Sequence, residues 1–356
     1  MKKDYAGKII DVGGFGCIFK PPLSCKSQKK TRKNISKLML AKEAQIENQL
    51  NQSIYKILNS IPNASLYFIL KSEICIPDKL NKEDLISFQK NCDILKKQNF
   101  NKNNINKKLD KLRILNIPYG GISLEKIFSQ KNTIDYKLSK INFKLIKLLE
   151  NGIIAMNKKN LYHMDIKADN ILVDEENLDC RLIDWGLSMI YNNNINSENL
   201  IYRDYQFNLP PYSIFFDEQY SQFIDLSIKN HTSFLELSEF LYHQITQTRH
   251  FSEIQKILQN FHQDFFKNNV IESFYQIFQK YSLSNRFDRI TFFNDLYKKN
   301  VDIFGFLSSY FPLLSNSYSS KLNKILHIII KDFMFNVKYA TQPYNINLIK
   351  KHLSLL

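Results

Sequence analysis

The chain has 356 residues, 44% of them hydrophobic and 13% aromatic, enough for one large or two medium cores, which excludes a disordered polymer. Lys and Arg number 49 against 34 Asp and Glu, leaving +15; this favours polyanionic partners, from nucleotides and nucleic acid to acidic protein or an anionic membrane, without choosing among them. No run approaches the ~20 apolar residues of a membrane span, and the Met1-Lys2-Lys3-Asp4 start leads into a polar, glycine-rich segment unlike a signal-peptide core. A soluble, intracellular protein is expected. Cys17, Cys25, Cys75, Cys92 and Cys180 contain no C-x-x-C pair, so neither a zinc site nor a disulfide framework is expected, and a reducing compartment fits. The abundance of Asn, Lys and Ile matches the coding bias of an AT-rich genome.

In chain order, apolar residues from Lys8 to Lys20 flank Gly13-Gly14-Phe15-Gly16 and stop at Pro21-Pro22, which predicts two short strands joined by a glycine turn. Ile35 to Met39 reads as a strand with Lys37 in its middle. From Lys42 to Leu58, Ile46, Leu50, Ile54 and Ile57 form one face of a helix. Strands are predicted over Leu66 to Ile76 and Leu112 to Pro118, and the Lys- and Asn-rich stretch 78–111 between them as an insertion, partly helical and partly mobile. A further helix carries Ile141, Leu145, Leu148, Ile153 and Met156 on one stripe and ends just before Leu161-Tyr162-His163-Met164-Asp165. Ile171-Leu172-Val173 and Arg181-Leu182-Ile183 predict a two-stranded ribbon. Beyond Asp225 the periodicity is helical, as in Phe234, Leu237 and Leu241 and again in Leu322, Ile325 and Ile329. The fold class is therefore α+β, a small β-rich part over 1–118 followed by a larger α-rich part over 119–356.

The strongest chemical signal is His163-Met164-Asp165-Ile166-Lys167-Ala168-Asp169-Asn170, followed nineteen residues after Asp165 by Asp184-Trp185-Gly186. Any one of these acids alone reads as an ordinary turn or cap residue; their order, spacing and intervening ribbon do not. The pattern resembles the protein kinase family, whose catalytic loop runs H-x-D-x-K-x-x-N and whose metal-binding triplet is Asp-Phe-Gly. The resemblance implies a bilobal kinase-like fold and an ATP- and Mg²⁺-dependent enzyme acting on an unidentified protein substrate, with no nucleic acid required. Asp165 would be the catalytic base and Lys167, typical of the serine/threonine type, would neutralise the transferred phosphoryl group, while Asn170 and Asp184 would hold Mg²⁺.

The same resemblance extends upstream. Val12-Gly13-Gly14-Phe15-Gly16-Cys17-Ile18 is similar to the glycine-rich loop over the ATP phosphates, with Asp11 where the family has its first glycine. Lys37 stands for the small-lobe lysine on the phosphates, and Glu47, in preference to Glu43, for its helix partner. Pro118 and Tyr119, in Leu115-Asn116-Ile117-Pro118-Tyr119-Gly120-Gly121, are similar to the hinge that binds adenine. Phe207-Asn208-Leu209-Pro210-Pro211-Tyr212 takes the place of Ala-Pro-Glu, without the glutamate. The Gly-Gly-Phe-Gly-Cys-Ile-Phe-Lys-Pro-Pro opening and the Tyr-Gly-Gly hinge resemble divergent serine/threonine kinases of large nucleocytoplasmic DNA viruses, which would place the protein in host cytoplasm or virion. Met164 occupies the position of the arginine that in many kinases pairs with a phosphate on the activation loop, where Ser188, Tyr191, Ser197, Tyr202 and Arg203 lie. Other readings are a pseudokinase scaffold, a small-molecule phosphotransferase on the same fold, and a nucleic-acid binder using Lys26, Lys29, Lys30, Arg32 and Lys33. The sequence gives no oligomeric state.

Overall fold

The computed structural model describes residues 7–26, 33–130, 135–192, 205–258, 261, 264–315 and 320–356. The chain divides into two compact units, Met1–Gly121 and Ile122–Leu356. The architecture is mixed α+β, a small antiparallel-sheet unit and a helical one. Among the described residues no helix is long and apolar enough to cross a membrane.

Unit 1 is built on strands β1 (Lys8–Gly13), β2 (Gly16–Lys20), β3 (Asn34–Leu40), β4 (Glu73–Cys75) and β5 (Leu112–Pro118), in the order β1-β2-β3-β5-β4 and antiparallel throughout. The β1–β2 turn is Gly14-Phe15, with Gly13 opposite Gly16. Gly16 has no room for a side chain: a Cβ there would run into the Leu38 carbonyl oxygen and lie 2.8 Å from Met39 Cγ. Leu112, Ile114 and Leu115 are fully buried, as befits a strand paired on both edges.

Helix α1 (Ala41–Leu58) follows β3 directly, and its buried residues are Ala44, Ile54 and Leu58. The expected inward face holds at Ile54 but not at Ile46, which is 53% exposed. One residue turns a helix by ~100°, and the buried line through 44, 54 and 58 leaves 46 on the far side. The strand expected over Leu66 to Ile76 shrinks to β4. Its first part coils into a 3-10 turn, Ala64–Leu66, onto which Phe68 folds through a hydrogen bond from its N–H to the Ala64 carbonyl.

The 78–111 stretch is helical in part, as α2 (Lys82–Asn91) and α3 (Asp93–Lys96). It is packed, where partial mobility was expected: Phe88, Cys92, Leu95, Phe100, Ile105 and Leu109 join the core cluster of Phe19, Leu38 and Ile114. The charged residues of this stretch mask an apolar set spaced irregularly, which periodicity does not reveal. The cysteine expectation is also corrected. Cys17 is bonded to Cys92 and Cys25 to Cys75, with Cα separations of 5.8 and 5.9 Å; these partners are 75 and 50 residues apart, so no local motif announces them.

Unit 2 opens with β6 (Ile122–Ser123), α4 (Leu124–Phe128) and α5 (Asp135–Lys147), which runs through a π-helical turn, Leu148–Ile153, into α6 (Ile154–Asn157). The step of five residues from Leu148 to Ile153 is what an i→i+5 turn accommodates, and Ile141, Leu145, Leu148, Ile153 and Met156 are all fully buried. Strand β7 (Leu161–Tyr162) then pairs with β10 (Met189–Ile190), and β8 (Ile171–Val173) lies between β6 and β9 (Cys180–Leu182). The rest is helical: α7 (Glu218–Lys229), α8 (Phe234–Gln247), α9 (Phe251–Leu258), α10 (Phe265–Tyr281), α11 (Arg289–Phe292), α12 (Lys298–Ser308), α13 (Ser320–Ile328) and α14 (Ile346–Leu353). An aromatic cluster around Phe215, Phe278, Phe287 and Phe292 fills its centre.

Candidate active site

In unit 2 the loop after β7 is fixed from below by α12. Asp302, 2% exposed, accepts hydrogen bonds from the His163 N–H (2.9 Å), the Met164 N–H (2.8 Å) and Asn157 Nδ2 (2.9 Å). These amides are aligned because Met164 adopts a left-handed conformation, φ 64°, which a non-glycine residue holds only when its surroundings enforce it. One turn along α12 from Asp302, Gly305 lets the helix approach the loop: a Cβ there would lie 2.6 Å from the Ile166 carbonyl oxygen.

Asp165, 5% exposed, is held on both carboxylate oxygens. Oδ2 meets Lys167 Nζ at 2.9 Å and Asn170 Nδ2 at 3.0 Å. Oδ1 accepts from Asn208 Nδ2 at 2.9 Å, and the same amide reaches the Ile166 carbonyl at 3.2 Å. The Asn208 side-chain oxygen is buried and has no hydrogen-bond partner among the described residues. Asn170 also donates to the Asp165 backbone carbonyl and accepts from the Ile183 N–H through its own. That backbone bond sets Asp184 beside the loop.

Asp184 is exposed and left-handed (φ 65°), and its carboxylate makes no hydrogen bond or ion pair with the described residues. Trp185, 5% exposed, anchors the turn against His163, ring centroids 4.8 Å apart, and His163 Nε2 meets the Ile183 carbonyl at 2.9 Å. The set Asp165, Asn170 and Asp184 offers hard oxygen donors, one carboxylate being unengaged, which is the donor chemistry Mg²⁺ takes. Burial pushes the Tyr162 hydroxyl up to about 12, with Asp302 and Tyr191 adding to the effect, so the phenol beside the loop stays neutral at physiological pH.

The chain after the triplet is pinned at both described ends. Ser188 Oγ donates to the Trp185 carbonyl (2.6 Å), and the Tyr191 N–H to the Asn160 carbonyl (2.8 Å). Ser197, Tyr202 and Arg203 lie outside the described residues. On the far side Pro211–Phe216 forms a buried 3-10 helix. Arg289 fastens it, donating to the Phe215 carbonyl (3.1 Å) while its guanidinium grips Asp225 at 2.9 and 2.7 Å. Burial lowers the Arg289 pKa and Asp225 opposes that effect.

In unit 1, Lys37 Nζ contacts both oxygens of Glu47, at 2.9 and 2.7 Å, and it is Glu47, not Glu43, that it meets. Lys37 pairs across the sheet with Ile18 on β2. A Cβ on Gly13 would lie 3.9 Å from Lys37 Cε, whereas one on Gly14 would meet nothing, so the glycine turn borders the lysine. Val12 and Phe15 are exposed, 41% and 58%. Asp11 is turned back onto the Val12 N–H at 2.8 Å. Pro118 pairs with Asn34, and Tyr119 donates its N–H to the Lys33 carbonyl and stacks under Lys20 Nζ at 3.1 Å. Of the basic patch, Lys26 and Lys33 are exposed; Lys29, Lys30 and Arg32 lie outside the described residues.

Asn208, Asp302 and Gly305 were not singled out as site residues from sequence. Asp302 left a signal, a lone acid in the apolar run Val301-Asp302-Ile303-Phe304-Gly305-Phe306-Leu307. Asn208 left none. Compared with models of known protein families, the chain matches none.

Proposed function

We propose that the chain is a serine/threonine protein kinase that transfers the γ-phosphate of ATP to a protein hydroxyl with Mg²⁺, on a bilobal kinase-like fold. The observation that carries this reading is the clamped Asp165 carboxylate, buried yet held by Lys167, Asn170 and Asn208 on a loop that a backbone bond ties to the segment presenting the unengaged Asp184. Its order and spacing are those the kinase resemblance leads one to expect.

In this reading Asp165 orients the attacking hydroxyl and takes its proton, and the fixed geometry around it keeps the carboxylate aimed. Lys167, 2.9 Å from that carboxylate, offsets charge that grows on the transferred group. Asn170 and Asp184 would hold Mg²⁺, which when bound neutralises the phosphate oxygens. Lys37, kept extended by Glu47, and the N–H groups of the Gly13–Gly16 turn would hold phosphates, and Pro118 and Tyr119 would border adenine. The protein substrate stands open to experiment.

The test is incubation of the purified chain with labelled ATP, Mg²⁺ and generic basic and acidic proteins, beside Asp165→Asn. Label on serine or threonine of the added protein, absent with Asp165→Asn, supports the reading. MgATP binding without transfer points to a pseudokinase, and label on small molecules alone to a different phosphotransferase. The absence of both MgATP binding and transfer overturns the proposal.

A further inference from the structure

Four of the five cysteines lie in unit 1, and both of its disulfides fasten the β4–β5 excursion to β2 and the segment that continues it. Cys180 in unit 2 remains a buried thiol. The two bonds differ in access. Cys17 and Cys92 are both fully buried within the core cluster, a position in which exchange with dissolved thiols is closed off. Cys25 is half-buried, so its bond to Cys75 can be reached.

That reachable bond is also wired into the sheet. Asn116 Nδ2 donates to Cys25 Sγ at 3.2 Å and lies 3.7 Å from Cys75 Sγ, a donor placed where negative charge grows on sulfur as a disulfide opens. Asn116 Oδ1 accepts from Ser36 Oγ at 2.8 Å, and Ser36 Oγ accepts from the Leu23 N–H at 2.9 Å. Ser36 directly precedes Lys37 on β3, opposite Asn116 on β5. The segment with Cys25 is otherwise tied to the end of β4 by two backbone bonds, Lys26 N–H to the Ile76 carbonyl and Asp78 N–H to the Ser24 carbonyl.

We propose that Cys25–Cys75 is a thiol-exchange site that gates nucleotide binding: the disulfide holds the Asn116–Ser36 link in register with Lys37, and its reduction weakens affinity for MgATP. The gating rests on the nucleotide-binding reading above; the exchange site does not. In the oxidising direction one Cys thiolate attacks a low-molecular-weight disulfide such as oxidised glutathione and releases one glutathione thiol. The second Cys thiolate then displaces the other glutathione from the mixed disulfide. Two protein thiols are oxidised and one glutathione disulfide becomes two thiols.

The full chain is equilibrated in graded mixtures of reduced and oxidised glutathione, quenched with N-ethylmaleimide, and digested for mass spectrometry, with and without MgATP. The expected result is a Cys25–Cys75 cross-link that opens over a range in which Cys17–Cys92 stays closed, while Cys180 is alkylated throughout after denaturation. Because coupling is reciprocal, weaker MgATP binding to the reduced chain requires MgATP to shift the opening midpoint by the same factor, about fivefold or more. Cys25→Ser/Cys75→Ser should bind MgATP as weakly as the reduced chain, and Cys180→Ser should leave the response unchanged. Should the double variant fail to fold, the midpoint shift in the unmutated chain decides. Alkylation of Cys25 and Cys75 at every ratio overturns the exchange site. A midpoint that MgATP leaves in place, in a chain whose melting temperature MgATP raises, overturns the gating. No MgATP effect on melting in any redox state overturns the nucleotide reading and the gating with it, while the alkylation pattern still decides the site.

Discussion

Replacing Asp302 tests whether α12 sets the geometry of the candidate catalytic loop. Its carboxylate, 2% exposed, accepts three hydrogen bonds of 2.8 to 2.9 Å. Hydrogen bonds to a charged group contribute about 1.5–3 kcal/mol each, and a buried donor left without a partner costs about 1–3 kcal/mol. Asp302→Asn keeps one acceptor oxygen but sets an N–H₂ group against an N–H, so one of the two backbone amides is stranded and the cost should be about 2–4 kcal/mol. For a domain of this size each kcal/mol moves the melting temperature by about 2–4 °C, which gives a drop of roughly 4–16 °C by calorimetry. Asp302→Ala strands both amides and Asn157 and should cost more. The left-handed Met164 would relax once its N–H is released, and Asp165 follows it in the chain. Phosphoryl transfer should therefore fall by tenfold or more, about 1.4 kcal/mol in the barrier, while MgATP still raises the melting temperature. A variant that melts within ~1 °C of the parent, against the shift expected from the lost bonds, and keeps its turnover would refute the argument.

Asp184→Asn should leave the melting temperature of the unliganded chain unchanged, because that carboxylate has no partner among the described residues, yet abolish the rise that MgATP gives; an undiminished rise would place the metal elsewhere. Gly16→Ala should destabilise unit 1 by about 1–3 kcal/mol, as overpacking against the β3 backbone does, whereas Gly14→Ala should be near neutral, and equal effects in denaturant titration would count against the turn geometry. In the proposed kinase reading, phosphatase treatment should leave most of the rate, since Met164 cannot pair with a phosphate; a tenfold loss restored by rephosphorylation within residues 188–202 would reverse this. The Lys350 hydrogen bond and charge hold the Glu150 carboxyl below the usual range against partial desolvation. A depressed carboxyl stabilises above its unfolded pKa and loses that contribution as pH falls through its folded pKa. The difference in stability between the parent and Glu150→Gln should thus narrow on acidification below about pH 4.5, and a gap that widens there would refute the pairing.

What could be read in the sequence divides by the range of the interaction that produces it. The Lys8–Lys20 hairpin, β3 with Lys37, β5 from Leu112 to Pro118 and the Ile141–Met156 stripe are set by periodicity and turn residues within a few positions. The 163–170 loop stands out for a related reason, since the resemblance it carries rests on residue types at fixed spacings along the chain. The Lys37–Glu47 contact spans ten residues and could be reached by counting helix turns, although counting Ile46 onto the same face went wrong by one position. Beyond that range the signal fails. Asp302 meets His163 across 139 residues and Asn208 meets Asp165 across 43, and no local pattern pairs these residues with one another. The cysteines mislead further, because a pairing of Cys17 with Cys92 depends on the β4–β5 excursion returning to β2, and that excursion looks polar until its irregularly spaced apolar residues are seen packed. An acid within an apolar helical run is the exception. A buried charge is retained only where something pays its desolvation, so Asp302 among Val301, Ile303, Phe304 and Phe306 requires donors from elsewhere in the fold, and the strained backbone at Met164, whose N–H would otherwise be stranded, is where the structure supplies them.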